Sequence, residues 1–335
     1  MRKKVDYKSA GVDIKSGEQA VNKIKSLAHS TFSDKVITDI GKFGGFFSLQ
    51  GMEMEDPILV SSIDGVGTKL KVAFLANKHD TVGEDLVNHC VNDILAGGAK
   101  PLFFLDYIGT GKISPEVIEQ IISGMARGCR SAGCALIGGE MAEMPGFYKK
   151  GDYDLVGTIV GVVERKKVID GSRIKRGDRL IGLPSSGLHT NGYSLARKVL
   201  FDIAGYTVHT YIDELGTTLG EALLQTHRCY LQIIVSLMEK FDIHGLSHIT
   251  GGGIKGNTKR ILPEGRSIEI NWNSWKRPVL FTLIQEKGNI SEEEMRKVFN
   301  CGIGYVIIIA EEQTSSLIRE LDTIGEKFVE MGSVK

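Results

Sequence analysis

The sequence is short of proline, has no net charge, contains no Cys-x-x-Cys pair and has no long apolar run. Each shortage excludes something. Five cysteines (Cys90, Cys129, Cys134, Cys229 and Cys301) are an odd number at unpaired spacings, which fits a reduced compartment, the cytoplasm, better than a disulfide framework. Forty-one Lys and Arg balance 41 Asp and Glu, so no net field draws the chain to nucleic acid or to an anionic membrane. No stretch approaches the ~18 uninterrupted apolar residues of a membrane span. The start, Met-Arg-Lys-Lys-Val-Asp-Tyr-Lys, lacks the apolar region of a secretion signal. What remains is ordinary for a globular chain, 42% hydrophobic and 24% charged, and 335 residues predict two domains. Glycine is the excess. There are 41 glycines against 7 prolines, where average usage predicts about 23 glycines. Such an excess belongs to loops that bring backbone close to a ligand.

Helix starts are marked by Ser16 with Gln19, Thr81 with Glu84, Thr218 with Glu221 and Ser291 with Glu294, each spaced for a capping box. Ser114-Pro115 starts another helix, with Val117, Ile118, Ile121, Ile122 and Met125 on one face. Apolar runs at 58–63, 101–108, 135–137, 155–163, 179–183 and 304–310 read as strands. The alternation predicts an α/β or α+β class. Charge and turn residues at Glu164–Gly177 mark the boundary, dividing the chain into domains 1–168 and 169–335.

Five glycine-rich segments carry the chemistry. In the first, a strand runs into Asp64-Gly65-Val66-Gly67-Thr68-Lys69. Its amides and Lys69 suit a phosphate, and Asp64 would repel that phosphate unless a cation such as Mg²⁺ bridged them. The bland alternative is a hairpin turn at Asp64-Gly65, which has no use for Thr68 and Lys69 as well. In the second, Gly97-Gly98 ends a helix and leaves Asp93 in its last turn, disfavoured by the helix dipole unless a cation is near. In the third, Gly138-Gly139-Glu140 follows a short strand, where Glu140 reads equally as a cap or a ligand. In the fourth, Ser185-Ser186-Gly187-Leu188-His189-Thr190-Asn191-Gly192 presents hydroxyls and an imidazole near a helix start, so His189 is either a proton carrier or a packing residue. The fifth, Thr250-Gly251-Gly252-Gly253-Ile254-Lys255-Gly256, has the formal Gly-x-Gly-x-x-Gly spacing of a dinucleotide site at Gly251, Gly253 and Gly256, but its context favours a phosphate-cradling helix start.

Together these motifs resemble the phosphoribosylformylglycinamidine cyclo-ligase (aminoimidazole ribonucleotide synthetase) family over nearly the whole chain. The resemblance is carried by Asp64-Gly65-Val66-Gly67-Thr68-Lys69, Cys90-Val91-Asn92-Asp93, Gly138-Gly139-Glu140, His189-Thr190-Asn191-Gly192-Tyr193-Ser194 and His248-Ile249-Thr250-Gly251-Gly252-Gly253, with a further match at Asp6–Ile14. It implies an N-terminal, ferredoxin-like ATP-binding and dimerisation domain that closes a strand barrel across a homodimer, and a C-terminal α/β substrate domain. It implies ATP and Mg²⁺ as cofactors and formylglycinamidine ribonucleotide as substrate. The formyl oxygen is activated by phosphorylation, the amidine nitrogen attacks that carbon, and phosphate leaves as the imidazole ring closes. Asp64, Asp93 and Glu140 are then the implied metal ligands, and Gly65, Val66, Gly67, Thr68 and Lys69 the phosphate loop. His189 and His248 are the implied proton carriers, with Asn191 and Thr250 orienting substrate and Gly251, Gly252 and Gly253 on the ribose phosphate. Lys8, Gly44 and Gly45 are the implied lid over ATP. Three departures stand out: Met141 where a Thr is expected, Leu188 where Pro is usual, and a C-terminus that leaves the last sheet edge in doubt. The rival readings are a sister kinase or selenophosphate synthetase, a non-catalytic nucleotide-binding scaffold, and a dehydrogenase.

Overall fold

The computed structural model describes residues 14–335. Its first half is a four-stranded sheet covered by helices on one face. The elements are α1 (Ile14–His29), β1 (Pro57–Gly65), α2 (Leu70–Ala76), α3 (Val82–Leu95), β2 (Lys100–Thr110), α4 (Pro115–Ala132), β3 (Ala135–Glu143) and β4 (Tyr153–Glu164). The strand order is β1-β4-β2-β3. β4 is antiparallel to both neighbours, while β2 and β3 run parallel because α4 carries the chain back between them. Leu86, Cys90 and Ile94 of α3 and Ile121 and Met125 of α4 bury their side chains with Phe104, Leu155 and Ile159 of the sheet. Gly157 lets α3 approach, since a Cβ there would stand 2.3 Å from the Phe104 ring and 2.9 Å from Leu86. Among the described residues no helix covers the opposite face of this sheet. Leu59 and Ile63 of β1 are 59% and 67% exposed, and Phe103, Leu105, Tyr107, Val156 and Val160 are half-buried beside them.

The second half is a five-stranded antiparallel sheet ordered β8-β10-β5-β11-β9. Its elements are β5 (Arg179–Pro184), α5 (Tyr193–Arg197), β6 (Tyr211–Ile212), β7 (Thr217–Thr218), α6 (Leu219–Leu223), α7 (Leu231–Met238), β8 (Ile243–His248), α8 (Gly253–Lys259), β9 (Ile268–Ile270), α9 (Val279–Gly288), α10 (Glu292–Val298), β10 (Ile303–Ile309), α11 (Glu311–Thr323) and β11 (Val329–Val334). Strand alternation divides two cores: Tyr305, Ile307 and Ile309 join the core shared with the first half, and Val306 and Ile308 join a second one with Ile254 and Met331. β11 is paired on both sides, so the expected doubt about the C-terminal edge falls on an interior strand.

Two of the four capping boxes differ from expectation. Thr218 and Glu221 form the full reciprocal cap, and Ser291 accepts the Glu294 amide. Ser16 lies inside α1, and Thr81 has helical backbone angles of its own, its hydroxyl making no cap while the Glu84 side chain accepts from Arg127.

Candidate functional site

The site lies in the seam between the halves, and α3 builds most of it. Asp85, Asn88, His89 and Asn92 recur at helical spacing, so a buried helix presents a polar stripe to the second half. Asn88 donates to the His227 carbonyl at 2.7 Å, Asn92 donates to the Arg228 carbonyl at 2.8 Å, and the Tyr230 amide donates back to Asn92 at 2.9 Å. These bonds hold segment 227–230, which lacks regular structure of its own, against α3.

At the foot of the stripe stand two carboxylates. Asp64 lies near the end of β1 and Asp93 in the last turn of α3. Ser62 Oγ lies 3.0 Å from one and 3.2 Å from the other, so a single hydroxyl stands between both. Burial first, and then the Asp93 charge, push the Asp64 carboxyl up to about 7. Asp93 is held well below the usual range by His248, whose Nδ1 is 2.6 Å from its oxygen, against a burial effect that acts the other way. Two acids from separate elements held this close favour sharing one proton, since burial and the like charge oppose ionising both. An oxygen-rich pair with room for water and substrate oxygens suits Mg²⁺.

Beside the carboxylates lie four buried histidines. His248 ends β8, and its Nε2 is 3.0 Å from Nε2 of His227. His227 Nδ1 is 3.4 Å from Thr190 Oγ1, and the same hydroxyl is 2.6 Å from His89 Nδ1. His89 Nε2 in turn reaches Asp64 at 3.5 Å. His189 stacks on His227 with ring centroids 4.0 Å apart. Its backbone sits at φ 62, a conformation that costs a non-glycine residue of order 1 kcal/mol or more. The Ser186 amide donates to its Nε2 at 3.2 Å, and its Nδ1 is buried with no partner. Burial pushes His189 and His227 well below the ordinary imidazole range and His89 down to about 4.

Of the expected site residues, Asp64, Asp93, His189 and His248 come together in this seam. Asn191 stands near the Thr250–Gly253 turn, where a Cβ at Gly251 would meet its side-chain oxygen at 3.3 Å. Asn257 ties that turn by donating to the carbonyls of Thr250, Gly251 and Gly253. Three expectations need correction. Lys69 does not face a phosphate: its ammonium is fully buried, 2.8 Å from Asp85 and 2.7 Å from the Gln225 carbonyl. Thr68, next to it, meets Ser194 at 2.9 Å, so this end of the glycine loop joins the two halves. Glu140 does not stand with Asp64 and Asp93 in one chain. It pairs with Tyr107, three strands from Gly65 across the sheet, or about 14 Å at the usual strand spacing. There Glu140 lines a cavity of about 430 Å³ together with Gly44, Gly45, Asp106, Ile118 and Leu136. Asp106 in this cavity is pushed up to about 7 by burial. Lys8 lies outside the described residues.

His89 and His227 are site residues that the sequence reading missed. The spacing of Asp85, Asn88, His89 and Asn92 was a usable signal for the first. His227, in the unpatterned Thr226-His227-Arg228, had none.

Fold and site define a two-domain α/β protein with an acidic and histidine-lined seam. Residues 52–163 match the family model described as "AIR synthase related protein, N-terminal domain", and residues 175–335 match its C-terminal counterpart. The phosphoribosylformylglycinamidine cyclo-ligase of Trichlorobacter lovleyi is 52% identical over 98% of this chain and 94% of the relative. That of Alkaliphilus metalliredigens is 51% identical over 97% and 93%. The chain belongs to the phosphoribosylformylglycinamidine cyclo-ligase family. A solved thiamine-monophosphate kinase from Stenotrophomonas maltophilia shares the fold at TM-score 0.67 and 17% identity, covering 94% of this chain and 93% of that one. Hydrogenase maturation protein HypE in complex with ATP does so at 0.68 and 17%, covering 94% and 86%.

Proposed function

We propose that this chain carries out the ring closure of its family: ATP and formylglycinamidine ribonucleotide give aminoimidazole ribonucleotide, ADP and phosphate, in purine biosynthesis. The observation that carries this reading is identity of about half over nearly the full length of named relatives. The alternative activities are named only for distant structural neighbours, which share the fold alone. Measuring ADP release with and without the amidine substrate tests it. Release that ignores the amidine would refute ring closure and leave a plain ATPase or a kinase of another substrate.

Asp64 and Asp93 are the proposed Mg²⁺ ligands. Bound there, Mg²⁺ neutralises charge on the triphosphate oxygens. The chain's own residues do the rest. The Asp93 carboxylate fixes the tautomer of His248, leaving its Nε2 facing the seam. His189 and His248 carry protons between the amidine and solvent, and burial keeps His189 neutral, ready to accept. Asn191 and Thr250 orient the substrate, and the Gly251–Gly253 turn receives its phosphate. The cavity lined by Gly44, Gly45 and Glu140 takes the nucleotide base against Leu136 and Ile118, with the glycine loop as its lid. The domain division falls at 168/169, between β4 and β5.

The protein works as a homodimer in the cytoplasm in this reading. The open apolar face of the first sheet is best covered by the same face of a second copy, which would close the strands into a barrel. All five cysteines are free, in keeping with a reduced compartment. Among the described residues no helix is long and apolar enough to cross a membrane.

A further inference from the structure

We propose that His189, His227 and His248 form a second metal site in the seam, selective for a borderline cation such as Zn²⁺, and that filling it switches the enzyme off. The inhibition rests on the proposed function above; the binding does not. One ring nitrogen from each residue lies within 4.8 Å of the others. Their exposures are 1%, 0% and 6%, so the rings are enclosed and held.

Asp93 accepts from Nδ1 of His248 at 2.6 Å, which leaves Nε2 as the nitrogen that ring turns toward the cluster. A carboxylate behind a histidine is the arrangement that commonly supports a metal ligand. Nε2 of His227 shares a hydrogen-bonding proton with Nε2 of His248, and metal binding moves that proton to Nδ1 of His227, where Thr190 Oγ1 can accept it. These two Nε2 atoms are 3.0 Å apart. That is close to the separation of about 3.3 Å that two nitrogens adopt around one Zn²⁺ at 2.0–2.1 Å. Nδ1 of His189, sealed from water, has no partner at all. Taking the metal there moves its proton to Nε2 and gives up the 3.2 Å contact with the Ser186 amide. No proton leaves the site in this exchange, and all three rings bind as neutral imidazoles.

The donor chemistry separates this site from its neighbour. Three imidazoles suit Zn²⁺ or Co²⁺ and give Mg²⁺ nothing, whereas Asp64 and Asp93 offer oxygen. The groove lined by Ser62, Asp93, His248, Asn257 and Arg260 opens onto the cluster at His248. Once bound, the cation takes the lone pairs of both histidines assigned to proton transfer.

The test is titration of Co²⁺ and Zn²⁺ into the tag-free, metal-stripped full chain, without ATP or substrate, in excess Mg²⁺. The expected result is one Co²⁺ per chain with the intense visible absorption of four-coordinate cobalt, displaced by Zn²⁺ and not by Mg²⁺. His227→Gln should weaken Zn²⁺ binding by about 100-fold or more, beyond the cost of losing a supporting partner. Whatever its basal rate in Mg²⁺, the same variant should lose the inhibition, read as the ratio of its own turnover with and without Zn²⁺. Weak octahedral absorption, or binding lost to Mg²⁺, overturns the proposal. An unchanged spectrum in His227→Gln also overturns it, and would place the metal on His89, Asp93 and His248. If His227→Gln does not fold, His189→Gln serves for the spectroscopic readout. Because binding is read without substrate, its outcome stands whether or not ring closure is observed.

Discussion

Two pairs of buried ionisable groups lie along α3, and they are opposites. Lys69 and Asp85 have complementary charge and no exposure, with the Lys69 ammonium 2.8 Å from the carboxylate and the His227 amide donating to Asp85 at 2.7 Å. Asp64 and Asp93 have like charge, partial exposure and only Ser62 between them. The first pair is complete and serves the fold. The second is incomplete, and such a site is ready for a cation. A lysine beside glycines and a carboxylate beside glycines look alike in sequence; what separates them is which has already found its counter-charge.

Asp64→Asn or Asp93→Asn sharpens this contrast most. Each keeps size and loses the charge that balances Mg²⁺, so ADP formation should fall by about 10³-fold or more, several kcal/mol of charge stabilisation. Melting without nucleotide should be unchanged or slightly raised for Asp64→Asn, because a repulsion is removed, and slightly lowered for Asp93→Asn, because His248 loses its carboxylate partner. A variant that turns over normally at low Mg²⁺ would show that the carboxylate is not a ligand. Lys69→Met should act the other way, lowering stability by about 3 kcal/mol, the low end for a broken buried pair because Asp85 can take up a proton. Adding Asp85→Asn should recover part of that loss in urea unfolding, since it removes the stranded charge and still accepts the His227 amide. No recovery would mean that the pair is not the glue. His189→Ala should lower turnover by about 10²-fold with little change in Mg·ATP binding. Equal loss of both would make it a packing residue.

The smallest effect is a pH dependence. The Asp64 carboxyl titrates near 7 in the metal-free fold and near its ordinary lower value when unfolded. Stability from this group is therefore present at acid pH and lost as pH rises toward 7. Mg²⁺ must displace the proton, so its affinity should fall by up to about tenfold per unit below pH 7 and level off above it. The rise in melting temperature caused by Mg²⁺ should be larger at pH 8 than at pH 6. The reverse order would place the shared proton elsewhere.

Much of this was legible because it is local. β1 with Asp64 at its end, and a helix stopped by Gly97-Gly98 with Asp93 in its last turn, follow from patterns within a few residues. What escaped depends on distant partners. β8 reads Ile-His-Gly-Leu-Ser-His, too polar for a strand until β10 pairs with it and α3 and α8 pack against it. β9 and β11 are short and partly charged, and pair only with each other and β5. Lys69 was read by its chemistry, but its partner Gln225 lies 156 residues on. Glu140 was placed with the other acids by family likeness, and the sheet sets it three strands away.

The interior position of β11 also bears on how the chain is made. All four strands of the first sheet lie before residue 165 and can pair while synthesis continues. The second sheet cannot close in that order. Residues 329–334 must enter between strands built from 179–184 and 268–270, which were made much earlier and stand apart until then. During that interval β5 and β9 expose unpaired edges, the sort that other nascent chains or chaperones engage. The finished first domain can meanwhile offer the polar stripe of α3 as a template for segment 227–230, so the seam assembles before the sheet behind it is whole.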